Sequence, residues 1–340
     1  MKVIGFKTSL DIEKEESLIS FEKQKPTAEN FDVLVEVNAV SVNPADAKIR
    51  IRSAKDITLD NAKILGYDAV GVIKEIGKDV SDFKIGDRIF YAGDVSRDGS
   101  NAQYQLVDSR IIAKAPSSLN DIEASVLPLT SLTGWEALFD RLKVSAFEKK
   151  TLLIIGGAGG VGSITTQIAK ELTNLTVITT ASREETIAWS KSMGADYVAN
   201  HKDLINSVKS LGFENVDYIF NTADTIGHWD AMAELIAPQG MIASIVEFDG
   251  NVNLSKLQGK SAGFVWELMF TRSLFKTEDM KKQHQILSQI SSLVDCGRIK
   301  TTLTQSINGF TVESIKEAHS QIETGKTIGK IAINYKEEGK

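Results

Sequence analysis

The chain has 340 residues, which exceeds one ordinary core and favours two domains. Apolar residues make up 42%, enough to bury large cores, while a formal charge of −6 gives no concentrated basic surface for a nucleic acid backbone. A single cysteine, Cys296, excludes an internal disulfide and a multi-cysteine metal cage, and it suits a reducing compartment, with the cytoplasm expected.

Near the amino terminus Lys7, Asp11, Glu13, Lys14, Glu15 and Glu16 interrupt the apolar stretch that a secretory segment needs, and no run is long enough to span a bilayer. A soluble protein with neither a membrane nor a nucleic acid partner is expected. From Val33 to Val42 the sequence alternates and is rich in Val. Glycines at 66, 71, 77, 86, 93 and 99 then punctuate short Val/Ile/Phe segments. That pattern predicts a small, twisted, mostly antiparallel barrel. Between Asp121 and Leu142, Ala and Leu residues with Trp135 and Leu138 place an apolar stripe at helical spacing, predicting one helix that leads into a new domain.

Apolar strands and amphipathic helices alternate after it: Thr151 to Ile155, Val161 to Leu172, Thr176 to Thr180, Arg183 to Met193, and Asp196 to Ala199. Val216 to Asn221, a helix near Thr225 to Ile236, and Gly240 to Val246 continue the series. Parallel neighbours need a crossover helix between them, so the pattern predicts a doubly wound parallel sheet. The tail holds helices near Glu278 to Val294 and Val312 to Thr324 and a strand from Ile328 to Asn334, and it is expected to return to the first domain. The expected boundaries are 1–124, 125–262 and 263–340. Phe264, Trp266, Met269 and Phe270 fit a substrate pocket, a core or a subunit interface, and the sequence leaves these open.

The first strand of the alternating series runs into Gly156-Gly157-Ala158-Gly159-Gly160-Val161-Gly162, and a helix pattern follows. Gly157, Gly159 and Gly162 fit GxGxxG: one glycine for the tight turn, one for approach to a pyrophosphate, one for helix–strand packing. Amides of Gly160, Val161 and the rest of the first turn then face the phosphates at the positive end of the helix dipole. The second strand ends in Thr180-Ala181-Ser182-Arg183, with no carboxylate for ribose hydroxyls. Ser182 and Arg183 can instead hold a 2′-phosphate, which favours NADPH over NADH. The alternative is Ser182 as a helix cap and Arg183 in solvent. Positions 181 and 183 are both expected at an exposed strand–loop junction.

With these residues placed, nearly the whole chain resembles the medium-chain dehydrogenase/reductase superfamily, in its quinone oxidoreductase-like branch. The resemblance rests on Val42-Asn43-Pro44-Ala45-Asp46, Gly66-Tyr67-Asp68-Ala69-Val70-Gly71-Val72, Gly86-Asp87-Arg88-Ile89-Phe90 and the loop from Gly156 to Gly162. Tyr91-Ala92-Gly93-Asp94, Gly99-Ser100-Asn101-Ala102 and Leu127-Pro128-Leu129-Thr130 make it most similar to a subgroup labelled zinc-type alcohol dehydrogenase-like. The resemblance implies an α/β fold in which a Rossmann sheet is inserted in a GroES-like, mostly β catalytic domain. It also implies an interdomain active-site cleft and a homodimer built through the nucleotide domains. Zinc-dependent relatives carry a Cys three residues before the Asp46 position, a His at the Tyr67 position and a further Cys near Leu129 or Thr130. Here Asn43, Tyr67 and no cysteine stand there, so no functional zinc is expected.

Without a metal Lewis acid, hydride addition to a quinone or an α,β-unsaturated carbonyl is the expected chemistry, with hydrogen-bond donors stabilising the oxyanion. Asn43 and Tyr67 are the candidate catalytic donors; otherwise Asn43 is a turn residue before Pro44 and Tyr67 a half-buried aromatic. Asp46 is expected to orient its loop through Arg50, four residues on. Family position puts Thr133 near the nicotinamide ribose or phosphate, His201 beside the adenosine 2′-phosphate and Lys330 toward the cofactor; the alternatives are a helix-interior hydroxyl, an exposed loop residue and a solvated lysine at a strand edge. Asn221, Thr222 and Val246 fall at carboxyl ends of strands, where ligands bind in open sheets. The alternatives in function are a zinc-dependent alcohol dehydrogenase and a non-catalytic NADPH-binding sensor or structural protein.

Overall fold

In the computed structural model, which describes residues 1–336, the alternating and apolar runs become strands of two separate units. One unit is Met1–Leu129 with the chain from Phe270 on; the other is Thr130–Met269.

The first unit begins with β1 (Lys2–Phe6), β2 (Ile19–Glu22), β3 (Asp32–Ser41) and β4 (Lys63–Ile64), followed by β5 (Ala69–Ile76), β6 (Arg88–Tyr91), β7 (Tyr104–Asp108) and β8 (Ile112–Lys114). The second unit contributes β9 (Thr151–Ile155), β10 (Thr176–Thr180), β11 (Tyr197–Ala199), β12 (Val216–Asn221), β13 (Ile236–Ser244) and β14 (Gly263–Trp266). The returning chain adds β15 (Leu303–Asn308) and β16 (Lys330–Asn334) to the first unit.

In the first unit β3 is the organising strand. It pairs antiparallel with β5, β7 and β16 in a sheet of order β15-β16-β3-β5-β6-β8. A smaller sheet runs β2-β1-β4. Close strand approach explains Gly71: a Cβ there would stand 2.2 Å from the Glu36 carbonyl oxygen. Two register shifts against β5 mark bulges that bend β3.

The second unit is a six-stranded parallel sheet of order β11-β10-β9-β12-β13-β14. Helices Gly160–Leu172, Glu184–Ser192, Leu204–Ser210 and Thr225–Leu235 connect its first five strands. Leu153, Ile178, Ile219, Trp229, Met232 and Ile242 are buried in its core, as a sheet covered on both faces requires. The chain is thus α/β, with a Rossmann-like sheet in one unit and a β-rich fold in the other.

Three local expectations fail. The single helix from Asp121 to Leu142 is broken into Asp121–Ser125, Pro128–Trp135 and a π-helical turn, Glu136–Arg141. Pro128 has no N–H and its ring clashes inside a helix, so the chain stops and restarts with proline in the first turn. β13 starts at Ile236 and stops at Ser244, before Val246. The short edge strand β14, carrying Phe264 and Trp266, was not anticipated, because four residues at an edge leave little periodicity to read. Among the described residues, no helix is long and apolar enough to cross a membrane.

Candidate functional site

Two constellations carry chemistry, one in each unit. In the second, β9 turns at Gly156, whose φ of +88° lies in the region only glycine enters freely, and whose amide donates to Thr180 Oγ1 at 3.0 Å. Gly157 and Gly162 are buried packing glycines: added Cβ atoms would stand 2.4 Å from Thr179 Cβ and 2.4 Å from the Gly156 carbonyl oxygen. Gly159, Gly160 and Val161 are only partly buried, and a Cβ on Gly159 would meet nothing nearer than 3.6 Å. Gly159 is the N-cap of the helix Gly160–Leu172 and supplies no side-chain cap. A bare, partly exposed helix start with room over its glycine fits a dinucleotide pyrophosphate.

At the end of β10, Arg183 rather than Ser182 occupies the N-cap. An arginine side chain cannot accept a hydrogen bond, so the cap is supplied from Thr186, whose hydroxyl takes the Arg183 N–H at 3.1 Å and donates to its carbonyl at 2.8 Å. That leaves the Arg183 guanidinium outside the cap, 44% exposed and 3.2 Å from Glu185 Oε1. Ala181, expected at an exposed junction, is buried, because its amide is tied to the Ala199 carbonyl at 3.0 Å.

Among the remaining cofactor candidates, Thr222 borders the loop directly: its hydroxyl donates to Ile155 O at 2.8 Å and lies 2.5 Å from a Cβ built on Gly156. His201 faces His228 edge-on at 6.5 Å, and burial pulls the His228 pKa down, with Asp224 opposing and His201 adding to the fall. Thr133 is buried on the helix Pro128–Trp135. Asn221 is fully buried, donating to Thr225 Oγ1 at 2.9 Å and Ser244 Oγ at 3.1 Å, while Thr225 donates to the Val246 carbonyl at 2.5 Å. This network ties β12 to the chain after β13 through contacts that span 19 to 23 residues, Thr225 to Ser244 and Val246 and Asn221 to Ser244, so no local spacing reveals it.

The other constellation is a buried polar cluster in the first unit. Asn43 caps the helix Pro44–Arg52, and its amide donates to Asp46 Oδ2 at 2.9 Å. Asp46 Oδ1 accepts the Gly66 N–H at 3.0 Å. Asp68 Oδ1 accepts the Leu129 N–H at 2.7 Å, and Asp68 Oδ2 accepts from Asn43 Nδ2 at 3.0 Å. Lys330, on β16, donates to Val42 O at 2.9 Å and Asn43 Oδ1 at 2.5 Å, and stands 3.3 Å from Asp68 Oδ2. Burial raises the Asp46 pKa to about 7 and the Asp68 pKa to about 6 against the pull of Lys330, whose own pKa burial lowers.

Three expectations change here. Asn43 has its side-chain amide engaged on both sides, so it is a bridge within the cluster rather than a spare donor. Lys330 is 3% exposed and grips Asn43 and Asp68, where the family pattern had aimed it at the cofactor. Asp46 does not pair with Arg50, which turns to Leu10 O and to Glu323 Oε1 at 2.5 Å. Asp68 was missed as a functional candidate, because its partners 25, 61 and 262 residues away leave no local signal. Tyr67 is also fully buried; its ring meets Phe270 edge-on at 5.4 Å and its hydroxyl has no hydrogen-bond partner among the described residues. Burial pushes the Tyr67 pKa above its ordinary value, so the hydroxyl stays a neutral donor.

A catalytic zinc needs three protein ligands. Among the described residues no group of three or more His, Cys, Asp or Glu side chains is arranged to hold a metal ion. The carboxylates at hand, Asp46 and Asp68, already accept from backbone amides and flank the Lys330 ammonium. This donor set does not fit zinc.

Residues 193–333 match a family model described as zinc-binding dehydrogenase, and residues 29–117 match one described as alcohol dehydrogenase GroES-like domain. A zinc-type alcohol dehydrogenase-like protein of Staphylococcus aureus is 46% identical over 339 residues, covering 98% of this chain and 100% of its own. A crystal structure from Rhizobium etli, described as a zinc-dependent alcohol dehydrogenase protein, has 42% identity and a TM-score of 0.94, with 99% of this chain and 98% of that one covered. An NADPH-dependent alkenal/one oxidoreductase of Arabidopsis thaliana is 26% identical, covering 91% of this chain and 73% of its own.

Proposed function

This chain belongs to the medium-chain dehydrogenase/reductase superfamily, and from that premise we propose that it is an NADPH-dependent, zinc-independent reductase of quinones or α,β-unsaturated carbonyls. One observation carries the reading: amid a cluster whose Asn43, Asp46, Asp68 and Lys330 are all engaged, the buried Tyr67 hydroxyl has no hydrogen-bond partner among the described residues. An unpaired buried hydroxyl costs about 1–3 kcal/mol, so a ligand oxygen that accepts from Tyr67 would recover that cost.

When bound, the dihydronicotinamide supplies a hydride to the carbon β to a carbonyl. The Tyr67 O–H would donate a hydrogen bond to the carbonyl oxygen as negative charge builds there, and the proton that completes the saturated product would come from water. Gly159, Gly160 and Val161 would hold the pyrophosphate, and Arg183 with Ser182 the 2′-phosphate. Thr133, His201, Thr222 and Val246 are further cofactor contacts in this reading. The name zinc-type, carried by the Staphylococcus relative, favours alcohol oxidation instead, but the donor set of this chain opposes it.

The test is NADPH consumption across a panel of quinones and enones. Turnover of at least one class supports the reading, and NADPH binding without turnover of any panel member sinks it in favour of a binding protein.

A further inference from the structure

The loop Gly66–Asp68 is held from both flanks. Before Tyr67, the Gly66 amide is fixed by Asp46 Oδ1, and Asp46 is itself locked by the Asn43 amide. After Tyr67, Asp68 takes the Leu129 N–H and the Asn43 side chain, while the Ser41 N–H donates to the Asp68 carbonyl at 3.1 Å. These contacts meet at one fully buried cation. The Lys330 ammonium has three donors and three acceptors around it, Val42 O, Asn43 Oδ1 and Asp68 Oδ2. Its grip on Oδ1 fixes which way the Asn43 amide faces, so Nδ2 must point to Asp68.

We propose that Lys330 is a positioning residue that, through Asn43 and Asp68, sets the place of the Tyr67 hydroxyl without touching substrate or cofactor. The inference rests on the reading of Tyr67 as oxyanion donor. A buried ammonium suits the task because burial strengthens its two hydrogen bonds and its ion pair with Asp68. Removing it leaves Asp68 as a buried, less compensated charge and frees the Asn43 amide to turn. A donor misplaced by about an ångström can lose up to a hundredfold in rate.

The experiment is a double-mutant cycle on the full chain, reading kcat, KM and NADPH Kd separately. Tyr67→Phe is expected to lower kcat roughly a hundredfold. Lys330→Met is expected to lower kcat about tenfold or more, with NADPH Kd within about twofold. The double variant should then turn over no more slowly than Tyr67→Phe alone, because a donor that is absent cannot be misplaced. If Lys330→Met does not fold, Asp68→Asn takes its place in the cycle, with the same loss and the same lack of additivity expected. Losses that multiply in the double variant overturn the positioning role, as does an Lys330→Met protein that binds NADPH weakly with kcat intact. Full kcat in Lys330→Met beside an impaired Tyr67→Phe also overturns it while sparing the donor reading. An unimpaired Tyr67→Phe overturns the donor reading itself.

Discussion

Two glycine-to-alanine substitutions in one loop should separate the groups that approach a ligand from those that pack the fold. At Gly159, φ of −74° and ψ of 172° suit alanine, and the nearest atom to an added Cβ is 3.6 Å away. The gain from a stiffer unfolded chain, about 0.4–1 kcal/mol, is offset by alanine's poorer capping, so the melting temperature should move by only a few degrees. At Gly162 an added Cβ would sit 2.4 Å from Gly156 O, 2.7 Å from Gly157 Cα and 2.8 Å from Gly157 O, all of them backbone. No side chain can turn away, and overpacking of this kind costs about 1–3 kcal/mol, or several degrees of melting temperature. Both variants should bind NADPH at least about tenfold more weakly, a loss of ~1.4 kcal/mol, but only Gly162→Ala should also melt early. Fluorescence titration with NADPH and thermal melts read the two effects independently. Gly159→Ala protein with wild-type NADPH affinity would refute the assignment of this loop to a pyrophosphate.

Arg183→Ala should weaken NADPH by roughly tenfold and leave NADH nearly unchanged, the lower end of a charge-assisted contact because the guanidinium is half exposed and shared with Glu185. Equal loss for both cofactors in parallel titrations would contradict a 2′-phosphate contact. Ala181→Asp should favour NADH but also lower the melting temperature, since position 181 is buried and a carboxylate there is desolvated. His319 is fully buried, with neither ring nitrogen hydrogen-bonded among the described residues, and burial first and Arg50 second pull its pKa down to about 3. Its folded pKa lies below the unfolded value near 6.5, so its contribution to stability is complete above pH 6.5 and is lost as pH falls toward 3, by up to ~1.4 kcal/mol per unit. Asp46 and Asp68, with raised pKa values, act in the opposite sense over part of that range. The check is therefore a difference: His319→Leu should flatten the acid limb of denaturation midpoint against pH relative to wild type, and an unchanged limb contradicts the assignment.

Most of the Rossmann-like sheet was legible because β9, β10 and β12 are apolar or β-branched runs each followed by a helical period, a local signal. The glycine loop was legible for the same reason: Gly156 to Gly162 act within seven contiguous residues. The polar cluster was only half legible. Asn43 and Tyr67 stood out because the family resemblance puts them where zinc-dependent relatives carry ligands, yet the partners of the Asn43 side chain, Asp68 and Lys330, lie 25 and 287 residues away. No periodicity encodes such a meeting. Lys330 shows the limit most clearly, for family position aims it at the cofactor and its place in a strand allows a solvated edge, whereas β16 lies paired between β3 and β15. Pro128 was the opposite case, a local signal overridden in reading by the apolar stripe around it.

The central claim is best tested by following a deuteride. NADPH labelled with deuterium at the transferring position of C4 should place the label on the carbon β to the carbonyl of an enone, with the carbonyl retained, equally in chelator-treated and untreated protein. Label on the carbinol carbon of an alcohol product, or turnover abolished by chelation and restored by zinc, would contradict it.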